Sequence, residues 1–233
     1  PDAIPVVHKV RNVPMSMRTQ LKEYLEKLQM EHIIVNSSQW VSPIVVALKK
    51  NNELRLCVDL RSLNRNILVD CFPLPKIQDL LAQLGGATFF TSLDLRAAYH
   101  QIELSKESRS LTAFNTPFGA YQYLRLPFGL ASAASLFQKL MFQVQGNIRG
   151  VMAYQDDILV FSNDVNNHMI TLNQVLNTLK EHGFTLRKDK CKFLVQELDY
   201  LGHTISSSGI SPKNDLLAAI KLAPSPVDKD QLK

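Results

Sequence analysis

The sequence predicts an α+β fold, and three observations predict it. Helical periodicity alternates with short apolar strand runs without strict βα repetition, and no internal repeat or low-complexity segment interrupts them. Of the 233 residues, 45% are hydrophobic and 20% charged, a balance that buries enough core to offset chain entropy. That length suits one large domain or two closely packed subdomains and excludes a coiled coil or a disordered tail.

The elements follow in order. Residues 17–30 set Leu21, Tyr24, Leu25 and Leu28 on one face with charges opposite, the pattern of a short amphipathic helix. Residues 44–48 and 54–58 read as strands flanking Asn51 and Asn52, which tolerate the left-handed conformation of a hairpin turn. Pro73 and Pro75 then punctuate the chain, residues 77–84 read as a helix stopped by Gly85 and Gly86, and residues 89–95 return to strand character. A strand over 121–126 precedes a buried helix over 131–145 that ends at Gly146. Residues 152–154 and 158–161 are short apolar strands, with Gln155, Asp156 and Asp157 in a tight turn between them. A long helix over 165–182 closes at Gly183, a small hairpin over 198–205 turns at Gly202, and a last helix spans 214–222 before Pro224 and Pro226.

The charge balance, 26 Lys and Arg against 21 Asp and Glu, leaves +5 and suits a polyanionic partner. Cys57, Cys71 and Cys191 lie far apart without CxxC spacing, so neither a disulfide framework nor a zinc cluster is indicated and a reducing, intracellular compartment is expected. The six histidines show no ligand spacing, and no apolar run approaches the roughly 20 residues that span a bilayer, so no membrane partner is expected. The first residues resemble no signal or transit peptide, and Pro1 in place of Met suggests a piece of a longer chain.

The sharpest local feature is Tyr154, Gln155, Asp156, Asp157. Adjacent carboxylates beside a buried sheet cost free energy unless a cation compensates them, although a solvated turn also carries Asp readily. Asp94 follows Phe89, Phe90 and Leu93 on a strand; taken alone, it also suits a helix N-cap ahead of Arg96, Ala97 and Ala98. Strand carboxylates from separated segments are what a two-metal phosphoryl-transfer site needs, because hard oxygen ligands hold Mg²⁺ while substrate phosphates complete its shell.

Five ordered motifs occupy nearly the whole chain: residues 54–64 (LRLCVDLRSLN), 90–102 (FTSLDLRAAYHQI), 121–138 (YQYLRLPFGLASAASLFQ), 152–162 (MAYQDDILVFS) and 200–203 (YLGH). In these the chain resembles the fingers and palm of reverse transcriptases, most closely those of Gypsy-type LTR retrotransposons, relatives of the retroviral polymerases. The resemblance implies a right-hand polymerase fold, with an antiparallel palm sheet backed by helices and a truncated thumb. Fingers would span residues 1–90 with the β-hairpin, palm 91–206 (103–125 partly fingers), and thumb would begin over 207–233. It implies RNA-directed DNA polymerase activity, with dNTPs as substrates and an RNA or DNA template with primer as partner. Thumb, connection, RNase H and integrase would lie elsewhere in a polyprotein, in a cytoplasmic virus-like particle, with the nucleus as the alternative location.

By the same resemblance Asp94, Asp156 and Asp157, helped by the Leu95 carbonyl, hold two Mg²⁺ ions, with Mn²⁺ as the alternative. Arg55 grips the triphosphate together with Lys49 or Lys50; the hairpin turn is one residue shorter than usual in the family, so both lysines stay open. Tyr99 lies beneath the incoming sugar, Phe128 and Gly129 line the nucleotide pocket, and Gln155 and Tyr154 touch the primer end or the nucleotide. Leu201, Gly202 and His203 form a primer grip, and Arg61 and Asn64 contact the template. Each has a plainer reading: a solvated hairpin for the cations, core packing for Tyr99 and Phe128, tight turns for Gly129 and Gly202, a surface salt bridge for Arg61. Ser132, Ala133 and Ala134 stand where the family usually has Asn-Ala-Pro, and the chain stops at Lys233 just inside the expected thumb. A domesticated or truncated, inactive nucleic-acid-binding module is the alternative function, which loss of a catalytic Asp would have favoured; none is lost.

Overall fold

Pro14, with its fixed φ of −51°, precedes the first helix of the computed structural model, which describes residues 7–37, 41–48, 52–69, 72–146 and 148–213. The elements run α1 (Met15–Met30), β1 (Ile34–Asn36), β2 (Ser42–Leu48), β3 (Leu54–Val58), α2 (Arg61–Asn64), α3 (Ile77–Ala82), β4 (Phe89–Asp94), α4 (Lys106–Arg109) and β5 (Phe114–Thr116). They continue with β6 (Gly119–Tyr123), α5 (Ala133–Gln145), β7 (Val151–Tyr154), β8 (Asp157–Ser162), α6 (Val165–Glu181), β9 (Lys192–Val195), β10 (Glu197–Tyr200), β11 (His203–Ser206) and β12 (Gly209–Pro212). Two compact units result: Pro1–Leu74 with Leu95–Gln143, and Pro75–Asp94 with Val144–Lys233.

In the first unit, α1 buries the expected stripe of Leu21, Leu25 and Leu28. That stripe forms one core with Ile34, Ile44, Phe114, Tyr121 and Tyr123. These residues come from a five-stranded sheet of order β1-β6-β5-β2-β3, antiparallel except for β2 with β5. The β2–β3 hairpin has the expected strands, pairing Ile44 with Val58 and Leu48 with Leu54, and Asn52 takes φ 61°. The strand expected at 121–126 instead begins at Gly119, which supplies φ 127° after the β5 turn. It ends at Tyr123; the next backbone amides turn to Ile33 and Ile102.

The second unit carries a four-stranded, wholly antiparallel sheet of order β7-β8-β4-β9. Ile158, Leu159 and Val160 are buried in succession, so both faces of β8 are covered, one of them by α6 through Leu172, Val175 and Leu179. Asp164 caps α6 by accepting the Asn167 N–H at 2.8 Å. His168, fully buried on α6, has Nε2 2.7 Å from Thr91 Oγ1 on β4 and Nδ1 3.0 Å from Ser162 Oγ on β8. The Ser162 hydroxyl donates to the Asp164 carbonyl, and the Leu194 N–H on β9 donates to Thr91 Oγ1. Gly150 opens β7 at φ 76°, and a Cβ there would lie 2.7 Å from the Phe161 carbonyl oxygen, so backbone and space both demand glycine.

A separate sheet, β10-β11-β12, is also antiparallel. Its first turn is the two-residue Leu201–Gly202, with φ 47° and 82°, and Tyr200 pairs with His203 as a hairpin at Gly202 requires. Leu198, Tyr200 and Ile205 pack into one core with Phe90, Met152 and Leu159. The α3 helix stops at Ala82, two residues short of expectation, as Gln83 and Leu84 close shorter turns onto Leu80 and Leu81; α6 stops at Glu181. The short strands β1, β5, β9 and β12 were not expected, and the helix expected over 214–222 lies outside the described residues. No helix among the described residues is long and apolar enough to cross a membrane.

Candidate active site

Strand register assembles the acidic end of the second unit's sheet. Asp94, the last residue of β4, is the direct partner of Asp157, the first of β8. Tyr154 also pairs with Asp157 across β7–β8, so only Gln155 and Asp156 make the turn. Three acids from two separated segments thus share one sheet end. Gln155 turns at φ 54°, a conformation that costs a residue with a side chain on the order of 1 kcal/mol. Tyr154 is part-buried and packs, with Leu201, against the unit's core.

The acids differ in surroundings. Desolvation raises the Asp157 carboxyl above its ordinary value, and the charges of Asp156 and Asp94 add to the rise. Asp157 remains exposed as a residue, so the neighbouring protein withholds only part of its hydration. Tyr200 donates its hydroxyl to the Asp157 carbonyl at 3.3 Å. Asp94 instead receives a hydrogen bond from Arg187 Nε at 3.1 Å, while its backbone N–H reaches Cys191 Sγ at 3.4 Å.

Among the described residues, no three His, Cys, Asp or Glu side chains gather closely enough to hold a metal ion as they stand. The donor set nevertheless fits a hard divalent cation. It offers carboxylate oxygens, two of its acids face each other in register, and Asp157 is raised by desolvation and then by the charges of Asp156 and Asp94, both of which a cation would offset. Leu95, whose carbonyl the resemblance recruits, follows directly with its side chain buried.

The first unit holds the expected nucleotide-side residues. Ala97, at φ 51°, opens the short 3-10 turn Ala98–Gln101 that carries Tyr99. The Tyr99 ring meets Phe128 edge-on at 4.9 Å and Phe137 at 5.1 Å. Phe137 is fully buried whereas Phe128 is 55% exposed, so Tyr99 links a core ring to a surface ring. His100 also meets Phe128, at 5.2 Å, and burial pushes its imidazole down to about 4.

Gly129 turns at φ 93°, and a Cβ there would meet nothing closer than 3.8 Å, so conformation rather than space calls for glycine. Asn64 braces this loop: its amide donates to the Gly129 carbonyl at 2.8 Å and its oxygen accepts the Ala131 N–H at 2.9 Å. The side chain expected at the template thus bonds the backbone of the loop that carries Phe128 and Gly129. Arg61 forms the salt bridge of its plainer reading, gripping Asp59 through Nε at 2.8 Å and a terminal nitrogen at 2.7 Å while staying 80% exposed. Asp59 also receives Arg11 at 2.8 Å, and these bonds, Arg61's first, hold its carboxyl far below the usual range. Arg55 is exposed on β3 opposite Ala47; Lys49 and Lys50 lie outside the described residues.

At residues 200–203, Leu201 and Gly202 form the turn and His203 Nδ1 donates to the Leu201 carbonyl at 3.1 Å. Sequence reasoning missed Arg187, Cys191, Tyr200, Asp59 and His100. Asp59 carried a signal, the Asp-x-Arg spacing inside the 54–64 motif. Arg187 and Cys191 carried none, since their partner lies over ninety positions away.

Comparison with known proteins follows the same line. The sequence profile described as "Reverse transcriptase (RNA-dependent DNA polymerase)" matches residues 47–205. The retrovirus-related Pol polyprotein from transposon 412 of Drosophila melanogaster is 36% identical over 98% of this chain and 19% of its own length. That from transposon gypsy of the same fly is 33% identical over 97% of this chain and 23% of its own length. The chain thus spans about a fifth of these relatives. Among solved structures, the foamy viral protease-reverse transcriptase in complex with RNA/DNA hybrid superposes with a TM-score of 0.88 at 22% identity, over 99% of this chain and 31% of that one. A second foamy viral structure, with double-stranded DNA, gives 0.89 at 21% identity over 98% and 41%. These likenesses show the fold.

Proposed function

The chain belongs to the reverse transcriptase (RNA-dependent DNA polymerase) family, and from that premise we propose that it adds deoxynucleotides to a primer 3′-hydroxyl under the direction of an RNA or DNA template. It would act as the polymerase portion of an LTR retrotransposon polyprotein, in a cytoplasmic virus-like particle. The observation that carries this reading is the β4–β8 register, which sets Asp94 opposite Asp157 at the sheet end where the β7–β8 turn presents Asp156. The fingers, palm and thumb boundaries expected from the sequence belong to the same proposal.

Asp94, Asp156 and Asp157, with the Leu95 carbonyl, would hold two Mg²⁺ ions, or Mn²⁺. When bound, such ions lower the pKa of the primer hydroxyl and neutralise charge on the triphosphate and the leaving pyrophosphate. The chain's own groups do the rest. Arg55 would grip the triphosphate with its planar fork, and Lys49 or Lys50 with a point charge. Phe128 and Gly129, braced by Asn64, would line the nucleotide pocket. Tyr99, stiffened by its contacts with Phe128 and Phe137, would crowd the sugar so that a 2′-hydroxyl clashes. Gln155 would meet the nucleotide sugar or the primer end, Tyr154 and the Leu201–Gly202–His203 turn the primer, and Arg61 the template. The net charge of +5 supports a polyanionic partner, as do the nucleic acids bound to the foamy viral relatives.

Primer extension on an RNA template tests the reading, with expected incorporation of dNTPs over rNTPs. Tyr99→Val should shift that preference toward rNTPs by at least about tenfold, as a removed steric block does. A wild-type protein that extends no primer, or a Tyr99→Val variant with an unchanged preference, would refute the corresponding role.

A further inference from the structure

The segment after α6 returns to the end of β4 and holds Asp94 at three points. Arg187 donates its backbone N–H to the Asp94 carbonyl at 2.9 Å and its Nε to the Asp94 carboxylate at 3.1 Å. Past the short turn Lys188–Lys190, Cys191 Sγ accepts the Asp94 N–H at 3.4 Å and donates to the Arg187 carbonyl at 3.3 Å. Two of these bonds complete the backbone of a strand end. The third places a cationic side chain on a carboxylate that the proposed function reserves for a cation.

From this geometry we propose that Arg187 is a positioning residue that competes with a divalent cation for Asp94, fixing the carboxylate in the free protein and yielding it when the ion binds. The proposal rests on the carboxylate assignment made above. Two other features of the pair suit exchange rather than permanence. The Arg187 and Asp94 side chains are 47% and 32% exposed and share a single side-chain hydrogen bond, a combination that biases the carboxylate by at most about fivefold. The contrast is Arg61 on Asp59, where two short parallel bonds meet a carboxylate only 13% exposed. That second pair is built to stay closed, whereas the Arg187 pair can orient its partner and still give way.

The test is Mn²⁺ binding to the whole chain without nucleic acid or nucleotide, read from the loss of the free-ion EPR signal, for wild type, Arg187→Gln, Arg187→Lys and Asp157→Asn. Arg187→Gln should bind Mn²⁺ about two- to fivefold more tightly than wild type, and Arg187→Lys, which keeps the charge, should stay near wild type. A merely structural arginine would shift the unfolding temperature and leave Mn²⁺ affinity alone. Unchanged or weaker affinity in an Arg187→Gln protein that is folded by circular dichroism overturns the proposal; Arg187→Met gives the same reading if the glutamine variant does not fold. A wild type that binds no Mn²⁺, or an Asp157→Asn variant that binds like wild type, overturns the carboxylate assignment itself and this proposal with it.

Discussion

Two hairpins of the second unit reverse in two residues and carry a carboxylate close to the turn, yet those carboxylates stand in opposite surroundings. On β10–β11, Asp199 accepts the Thr204 hydroxyl at 2.8 Å and pairs with Lys213 at 3.3 Å, and the Thr204 bond leads in holding its carboxyl below the usual value. On β7–β8, Asp157 sits opposite Asp94 and beside Asp156, and desolvation first, then those two charges, hold its carboxyl above the usual value. The turns differ in the same sense. Both turns hold a full side chain at positive φ, Leu201 at 47° and Gln155 at 54°, but the first follows it with Gly202 and the second with the acidic Asp156. Local satisfaction marks the hairpin that supports; local frustration marks the one proposed to act, because charges arranged for a ligand repel until it arrives.

The contrast breaks most sharply at Asp156. Asp156→Asn should reduce primer extension by at least about 10³-fold while far-UV circular dichroism stays unchanged, since the turn loses a charge and no packing. Near-normal extension by that variant would remove the acidic hairpin's special status. Next in size is Gly150→Ala, which attacks the same hairpin from its far end. A Cβ against the Phe161 carbonyl, at a φ that disfavours side chains, should cost roughly 2–3 kcal/mol in urea unfolding.

Acid should perturb both units, through the half-buried imidazole of His100 and the buried one of His168. Burial depresses His100, to about 4, and His168, so below the ordinary value near 6.5 the unfolded chain takes up protons that the folded chain refuses. Stability should therefore fall as pH drops from about 6.5 toward 4 through His100, by up to about 1.4 kcal/mol per pH unit, with His168 acting in the same direction. The carboxylates held low, Asp59 and Asp199, contribute stability that is lost only at still lower pH. Urea midpoints across that range check the sign, and His100→Asn should flatten the slope. The smallest effect sharpens the comparison directly. Asp157→Asn should raise stability by a few tenths of a kcal/mol as cross-strand repulsion disappears, while Asp199→Asn should lower it slightly. Paired thermal melts in low salt decide between these signs.

Much of this arrangement was legible in the sequence. The α1 stripe at Leu21, Leu25 and Leu28 and the turns at Gly183 and Gly202 follow from periodicity and turn chemistry, and the acids stood out between apolar runs. The rest was hidden for physical reasons. Three- and four-residue strands are too short for alternation to register: β5 is Phe-Asn-Thr, and β12 contains both glycine and proline. β9 is exposed at Lys192, Phe193 and Leu194, so no buried face announced it. Asn64 lay inside the recognised motif, but its partner Gly129, 65 positions away, emerges only once the chain is folded. Arg187 lay outside any pattern because its bond to Asp94 depends on where β9 brings the chain back.

The buried histidine has a consequence of another kind, in the order of its protons. Ser162 has one hydroxyl proton and uses it on the Asp164 carbonyl, so at the 3.0 Å contact the imidazole Nδ1 must be the donor. A neutral ring protonated at Nδ1 accepts at Nε2, which turns the Thr91 hydroxyl toward it and leaves that oxygen free to accept the Leu194 amide. From Leu194 through Thr91, His168 and Ser162 to Asp164, every hydrogen points the same way, and reversing one link reverses the neighbouring ones. The palm-like sheet and its helix therefore share a single tautomer, and a ¹⁵N spectrum of His168 should show the minority Nδ1–H form, set by two hydroxyls on neighbouring strands near one end of the β4–β8 pair.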